Sequence, residues 1–221
     1  MSIFSVQFEG RKKNFLFIET NLGASGSDFM HDTAIEIFYP SSVEAWRNWL
    51  EENHLSKQGV WLVCYTKNST KKSITWSESV DVALCFGWID SKKIKVDAES
   101  SHQFFSRRKA KSTWSKINKQ KVQFLIETGQ MSAAGYNSIE VAKQNGSWTI
   151  LDQVEELIVP VDLEAEFLNS PVAMNNFENF SKSSKKAILQ WITLAKRPET
   201  RYKRIIEVVE RDHENLKPSH L

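Results

Sequence analysis

The stretch from Phe104 to Lys121, "FFSRRKAKSTWSKINKQK", carries Arg107, Arg108, Lys109, Lys111, Lys116, Lys119 and Lys121 around Trp114, with no carboxylate among them. An arginine fork beside an indole is chemistry for an anion. The guanidinium grips carboxylate or phosphate through paired N–H groups, and the ring offers a flat face to a planar group. Trp88 and Asp90 leave a helix end just upstream, in "GWID", and Gln103 follows one hairpin later. A hairpin returns its ends to neighbouring positions, so Trp88, Asp90, Gln103, Arg108, Lys111 and Trp114 form one candidate site. A second basic cluster, "AKRPETRYKR", puts Lys196, Arg197, Arg201 and Arg204 at the opening of the last helix. Cations there oppose the helix dipole unless a bound anion or Glu199 offsets them, which adds Arg197 and Arg201 to the candidates. Each residue also has a plainer reading. The basic run is then a solvated loop, Trp114 a core anchor ahead of a helix, and Asp90 a local cap after a glycine turn.

Other chemistries find no support. The histidines, His31, His54, His102, His213 and His220, lie far apart, with neither HExxH nor a Cys/His cluster, so no metal and no cofactor is expected. The glycines occur singly, which leaves no P-loop and no GxGxxG, and GxSxG is missing too. Cys64 in "VWLVCY" and Cys85 in "ALCFGW" suit small buried hydrophobes in a reducing, cytoplasmic setting. An enzyme whose catalytic groups are scattered along the chain, Asp90, His102 or Cys85 among them, stays open, because such groups meet in space.

These residues need elements to hold them. With 221 residues, 41% hydrophobic and 25% charged, the chain can bury a real core as one large domain or two small ones. Its formal charge is only +2, so the basic field is local, whereas a dedicated nucleic-acid binder is usually more lopsided. "AIEIFYP" predicts a strand stopped by Pro40, and Ser42 caps a helix carrying Val43, Trp46 and Leu50. "GVWLVCYTK" predicts a second strand. Thr75 and Glu78 have capping-box spacing ahead of "VDVALCF", with Gly87 as the left-handed stop. "KKIKV" and "HQFFSR" pair across "DAESS". After Trp114 the pattern is helical: Ser115 and Ser132 are caps, Gly129 and Asn145–Gly146 are stops, and Pro160, Pro171 and Pro198 fall at boundaries. The last helix shows Tyr202, Ile205, Ile206 and Val209 on one face.

The expected fold is α+β, with a small mixed or antiparallel sheet and helices in the first half and a helical C-terminal half. The expected parts are an N-terminal extension at 1–33 outside the core, an α+β part at 34–114, a helical part at 115–215 packed on it, and a tail at 216–221. The extension suits either an extra hairpin through Phe4, Val6 and Phe8 or sequence ahead of a start at Met30. Arg11, Lys12 and Lys13 precede an apolar run too short for a signal peptide, and no stretch approaches the roughly 18 apolar residues of a membrane span.

"FYPSSVEAWRNWLEENH", "GVWLVCYTK", "ALCFGWIDSK", "KSTWSKIN", "GSW" and "WITLAKRPETRYKRI", in this order, resemble the YdeI/OmpD-associated family, a group labelled bacteriocin-protection proteins, from about Glu36 to Glu210. The resemblance implies a small cytoplasmic α+β protein of bacterial type, connected by name with resistance to bacteriocins or other stress. It supplies no reaction and no catalytic residue. Where the family reads "QRFTPRKPKSNWSKIN", this chain has Phe104 for an arginine, Arg107 and Ala110 for prolines, and Thr113 for an asparagine. Losing both prolines is expected to loosen the link between strand and helix. The preferred expectation is a noncatalytic stress or bacteriocin-protection factor that takes a small anionic ligand or an acidic protein partner. A nucleic-acid binder using the two basic clusters and an enzyme of unknown reaction are the alternatives.

Overall fold

The computed structural model describes residues 35–216. The N-terminal extension, with its hairpin or its start at Met30, lies outside the described residues, as does the tail beyond Leu216.

Local chemistry starts the elements where the sequence places them. Ser42 is extended, and its Oγ accepts from the Ala45 N–H to open helix α1 (Val43–Asn53). At α2 (Trp76–Cys85) the Thr75 hydroxyl accepts from the Glu78 N–H while the Glu78 carboxylate accepts from the Thr75 N–H at 2.7 Å. The Thr75 hydroxyl also donates to that carboxylate at 2.7 Å, and this bond, with the one from the Thr75 N–H, holds the Glu78 carboxyl below its usual range. Ser115 and Ser132 cap α3 (Lys116–Glu127) and α4 (Ala133–Gln144) in the same way. Gly87, Gly129 and Gly146 adopt the left-handed backbone the stops require.

The sheet is mixed, in the order β1 (Ile37–Phe38), β2 (Gly59–Tyr65), β4 (Ser100–Arg107), β3 (Trp88–Lys95). β1 runs parallel to β2, and the other pairs are antiparallel. Two strands differ from expectation. The first is only two residues long rather than most of "AIEIFYP". β3 begins at Trp88 rather than Lys92, because Trp88 and Ile89 pair with Arg107 and Ser106 before a bulge between Asp90 and Lys93.

Side chains divide between the two sheet faces by strand alternation. Val60, Leu62, Trp88 and Phe105 are buried with Trp46, Trp49 and Leu50 of α1 and the apolar side of α2. Helices α3 and α4, grouped by sequence with the helical part, bury Val122, Leu125, Ile139 and Ala142 in this same first core. The α2–α4 contact is almost backbone on backbone, since a Cβ on Gly135 would stand 2.3 Å from the Cys85 carbonyl oxygen.

A second core starts at Leu151 and is built by α5 (Asp152–Glu155), α6 (Val161–Leu168), α7 (Pro171–Asn179), α8 (Lys182–Thr193) and α9 (Pro198–His213). Pro171 and Pro198 occupy first turns, where a missing N–H costs least. The buried stripe of α9 is Ile205, Val208 and Asp212, which corrects the expected face: Tyr202 is 59% exposed. Arg201 takes the position toward α6, where it binds Asp162, and this turns Tyr202 outward. Among the described residues no helix is long and apolar enough to cross a membrane.

Candidate functional site

Arg108 stands just past the end of β4, and its backbone N–H donates to the Gly87 carbonyl at 2.9 Å. The loop after the strand is thereby tied to the turn after α2. Its guanidinium lies over the Trp114 ring, 3.7 Å from the centroid, and Nη1 donates to the Thr113 carbonyl at 2.8 Å. Trp114 is 1% exposed and packs against Trp148 at 4.9 Å between centroids. The plainer reading of Trp114 therefore holds, since the ring is core, and it is also the floor on which Arg108 rests.

The segment that lacks the two prolines is pinned by other means. The Ala110 carbonyl accepts from Asn145 Nδ2 at 2.7 Å and from the Ser147 hydroxyl at 3.3 Å. Within the loop the Ser112 N–H bonds the Lys109 carbonyl.

Arg108 is not a solvated loop residue. Its Nε is buried without a hydrogen-bond partner, and no carboxylate forms an ion pair with it among the described residues. Burial pushes its pKa down to about 10, opposed by the more distant charge of Asp90, so the group is still a cation at neutral pH. Two cavities flank it. The first, about 270 Å³, is walled by His54, Gly87, Trp88, Arg107, Arg108, Lys109, Asn137 and Ser138 over an apolar base of Phe86 and Val141, with no carboxylate in its lining. The second, about 340 Å³, is lined by Arg108, Ile89, Ser112, Thr113, Asn118 and Gln190 and by the Glu155–Lys186 ion pair. Gly87 shapes the first wall, since its φ is +69° and a Cβ there would meet the Ala134 oxygen and the Ser138 Cβ at 3.1 Å.

The other sequence candidates divide. Trp88 lines the first cavity from the core and donates its indole N–H to the His54 carbonyl at 3.4 Å. Asp90 accepts from Trp76 Nε1 at 2.8 Å and from Gln103 Nε2 at 3.4 Å, while Gln103 also donates to the Lys92 carbonyl at 3.3 Å. Asp90 and Gln103 thus stitch the bulge of β3 to β4 and line neither cavity. Lys111 is exposed and lines neither. Arg197 is exposed ahead of α9, and Arg201 is held by both carboxylate oxygens of Asp162, at 2.6 and 2.8 Å, so neither joins Arg108. The three enzyme candidates are not assembled. Asp90 and Gln103 share one sheet face, which puts His102, the next residue along β4, on the other. Cys85 is buried, and burial pushes its thiol up. No group of His, Cys, Asp and Glu suited to a metal exists among the described residues.

Sequence reasoning missed His54, Arg107, Lys109, Asn137 and Ser138 as cavity residues. Arg107 and Lys109 were visible as neighbours of Arg108. His54, Asn137 and Ser138 arrive through the close packing around Gly87 and Gly135, which leaves no mark near them in the chain.

Comparison with known families divides the chain much as its cores do. Residues 38–138 match a domain of unknown function (DUF8412), and residues 156–215 match the family described as "Bacteriocin-protection, YdeI or OmpD-Associated". The resemblance expected from Glu36 to Glu210 is thus borne out over the second core, whereas the region that builds most of the first cavity matches the other description. No curated protein and no solved structure matches the chain.

Proposed function

We propose that this chain, whose residues 156–215 carry a bacteriocin-protection type of module, is a noncatalytic, cytoplasmic protection factor that holds a small anion, phosphate or carboxylate, in the cavity at Arg108. One observation carries the reading. A half-buried guanidinium, with its Nε buried and unpaired and no ion-pair partner among the described residues, borders a cavity whose charged lining, Arg107, Arg108 and Lys109, is entirely cationic. Desolvating a cation without a counter-charge is unfavourable, and an anion in that cavity would offset the cost while accepting charge-assisted hydrogen bonds. The lining also supports binding over catalysis. The Ser138 hydroxyl is engaged with the Gly135 carbonyl at 2.8 Å, and His54 Nδ1 lies 2.8 Å from the Leu50 carbonyl, so no activated nucleophile and base face each other. The test is protection of cells against a bacteriocin by the native chain and by Arg108→Gln at equal expression. Loss of protection by the variant supports the reading, and equal protection contradicts it.

A further inference from the structure

We infer that the outer face of the sheet is a stacking surface for single-stranded nucleic acid. This face is the one turned away from α1 and α2. Strand alternation assigns to it Ile37 and Tyr39, then Trp61, Val63 and Tyr65 of β2, then His102 and Phe104 of β4 and Ile94 of β3. None of these belongs to either buried core. Ile37, Tyr39 and Ile94 are 59%, 40% and 44% exposed, while the rings of Trp61, Tyr65, His102 and Phe104 are half-buried among their neighbours.

The rings form two groups. Trp61 lies 4.9 Å from Phe104 and 6.5 Å from His102, and Tyr39 lies 5.3 Å from Tyr65. Trp61 and Tyr65 are four positions apart on β2, about 13 Å, so one chain running along the strand can reach both groups. Phe104 is laid across β2 because Gly59 has no side chain; a Cβ there would stand 2.6 Å from its ring.

Charge complementarity selects the occupant. Lys92 Nζ stands 5.3 Å from the Trp61 ring and 5.9 Å from Phe104, and Lys71 Nζ stands 4.9 Å from Tyr65. Each ring group therefore carries its own ammonium. The strand positions of this face hold no carboxylate. The nearby acids are already engaged at the rim: Asp97 accepts the N–H groups of Glu99 and Ser100, Glu99 accepts from Ser69, and Glu36 pairs with Lys57 at 3.4 Å. Aromatic faces with cations beside them suit bases and phosphates together, and an open sheet is a recurrent way to present them. A polar or acidic peptide would leave these rings unmatched, and an apolar one would leave the lysines unmatched.

The experiment measures fluorescence anisotropy of a labelled short oligothymidylate against the full chain at about 50 and about 200 mM salt. Binding is expected to weaken with salt, to exceed that of a duplex of the same length, and to fall at least tenfold in Trp61→Ala and in Phe104→Ala. Because removing a ring can disturb folding, the exposed pair Lys71→Glu/Lys92→Glu is measured alongside; it is expected to keep the native thermal midpoint, lose affinity and flatten the salt dependence. The inference is overturned if the oligonucleotide does not bind at the lower salt, if the duplex binds equally well, or if every variant binds as the native chain does. It is equally overturned if sedimentation shows a dimer that Trp61→Ala dissolves while no oligonucleotide binds, since the face then serves a second copy of the chain.

Discussion

The Arg108 guanidinium lies 3.7 Å from the centroid of the Trp114 ring, with its Nε buried and unpaired. The two residues stand six positions apart in one basic run and differ in role as well as place. Trp114 supplies the floor by being core, and Arg108 lies on it as a cation with no ion-pair partner among the described residues.

Stability and binding therefore move in opposite directions at Arg108. Arg108→Met keeps the contact with the ring and removes the desolvated charge, so its stability should be unchanged or raised by about 1 kcal/mol while anion binding is lost. Trp114→Ala should cost about 3 to 5 kcal/mol. Lys111→Ala, at an exposed site outside both cavities, should leave both properties unaltered. Urea unfolding of the three variants, with and without phosphate, checks all of these.

Much of this was legible in the chain, for reasons that can be named. Ser42, Thr75, Ser115 and Ser132 act through bonds three residues away, so their spacing alone fixes helix starts. Arg108 and Trp114 stood out because they are close in sequence. The partial burial of Arg108 was not legible, since a basic run ordinarily faces water and its cover comes from α4 and the turn at Gly87. The ring platform of the outer sheet face was equally hidden, because it depends on the register that sets Trp61 opposite Phe104.

Close packing at Gly135 makes it the most sensitive glycine beside the cavity. Gly135→Ala puts a Cβ 2.3 Å from the Cys85 oxygen, forces α4 off α2 and should cost about 1 to 3 kcal/mol. Gly146→Ala meets nothing within 4 Å and strains only a φ of +79°, so about 1 kcal/mol is expected. Thermal midpoints of the two variants should rank in that order.

Asp212 sets a pH dependence on the second core. Its side chain is fully buried on α9 with neither carboxylate oxygen bonded, and burial raises it to about 7. The native state thus keeps a proton that the unfolded chain loses near its ordinary value of 3.8. Stability linked to this group is complete below about pH 4 and lost as pH rises through about 7. Asp162, held low by Arg201, acts in the opposite sense and only on further acidification. Acidifying from about pH 8 to about 5.5 should raise the urea midpoint, and Asp212→Asn should remove the rise while adding on the order of 2 kcal/mol at the higher pH.

The central claim is that Arg108 awaits an anion, and calorimetric titration of the full chain with inorganic phosphate at constant ionic strength tests it most directly. The account predicts saturable binding of one phosphate per native chain and none to Arg108→Met, with both proteins folded by circular dichroism. Equal heats and affinities in the two proteins would contradict it.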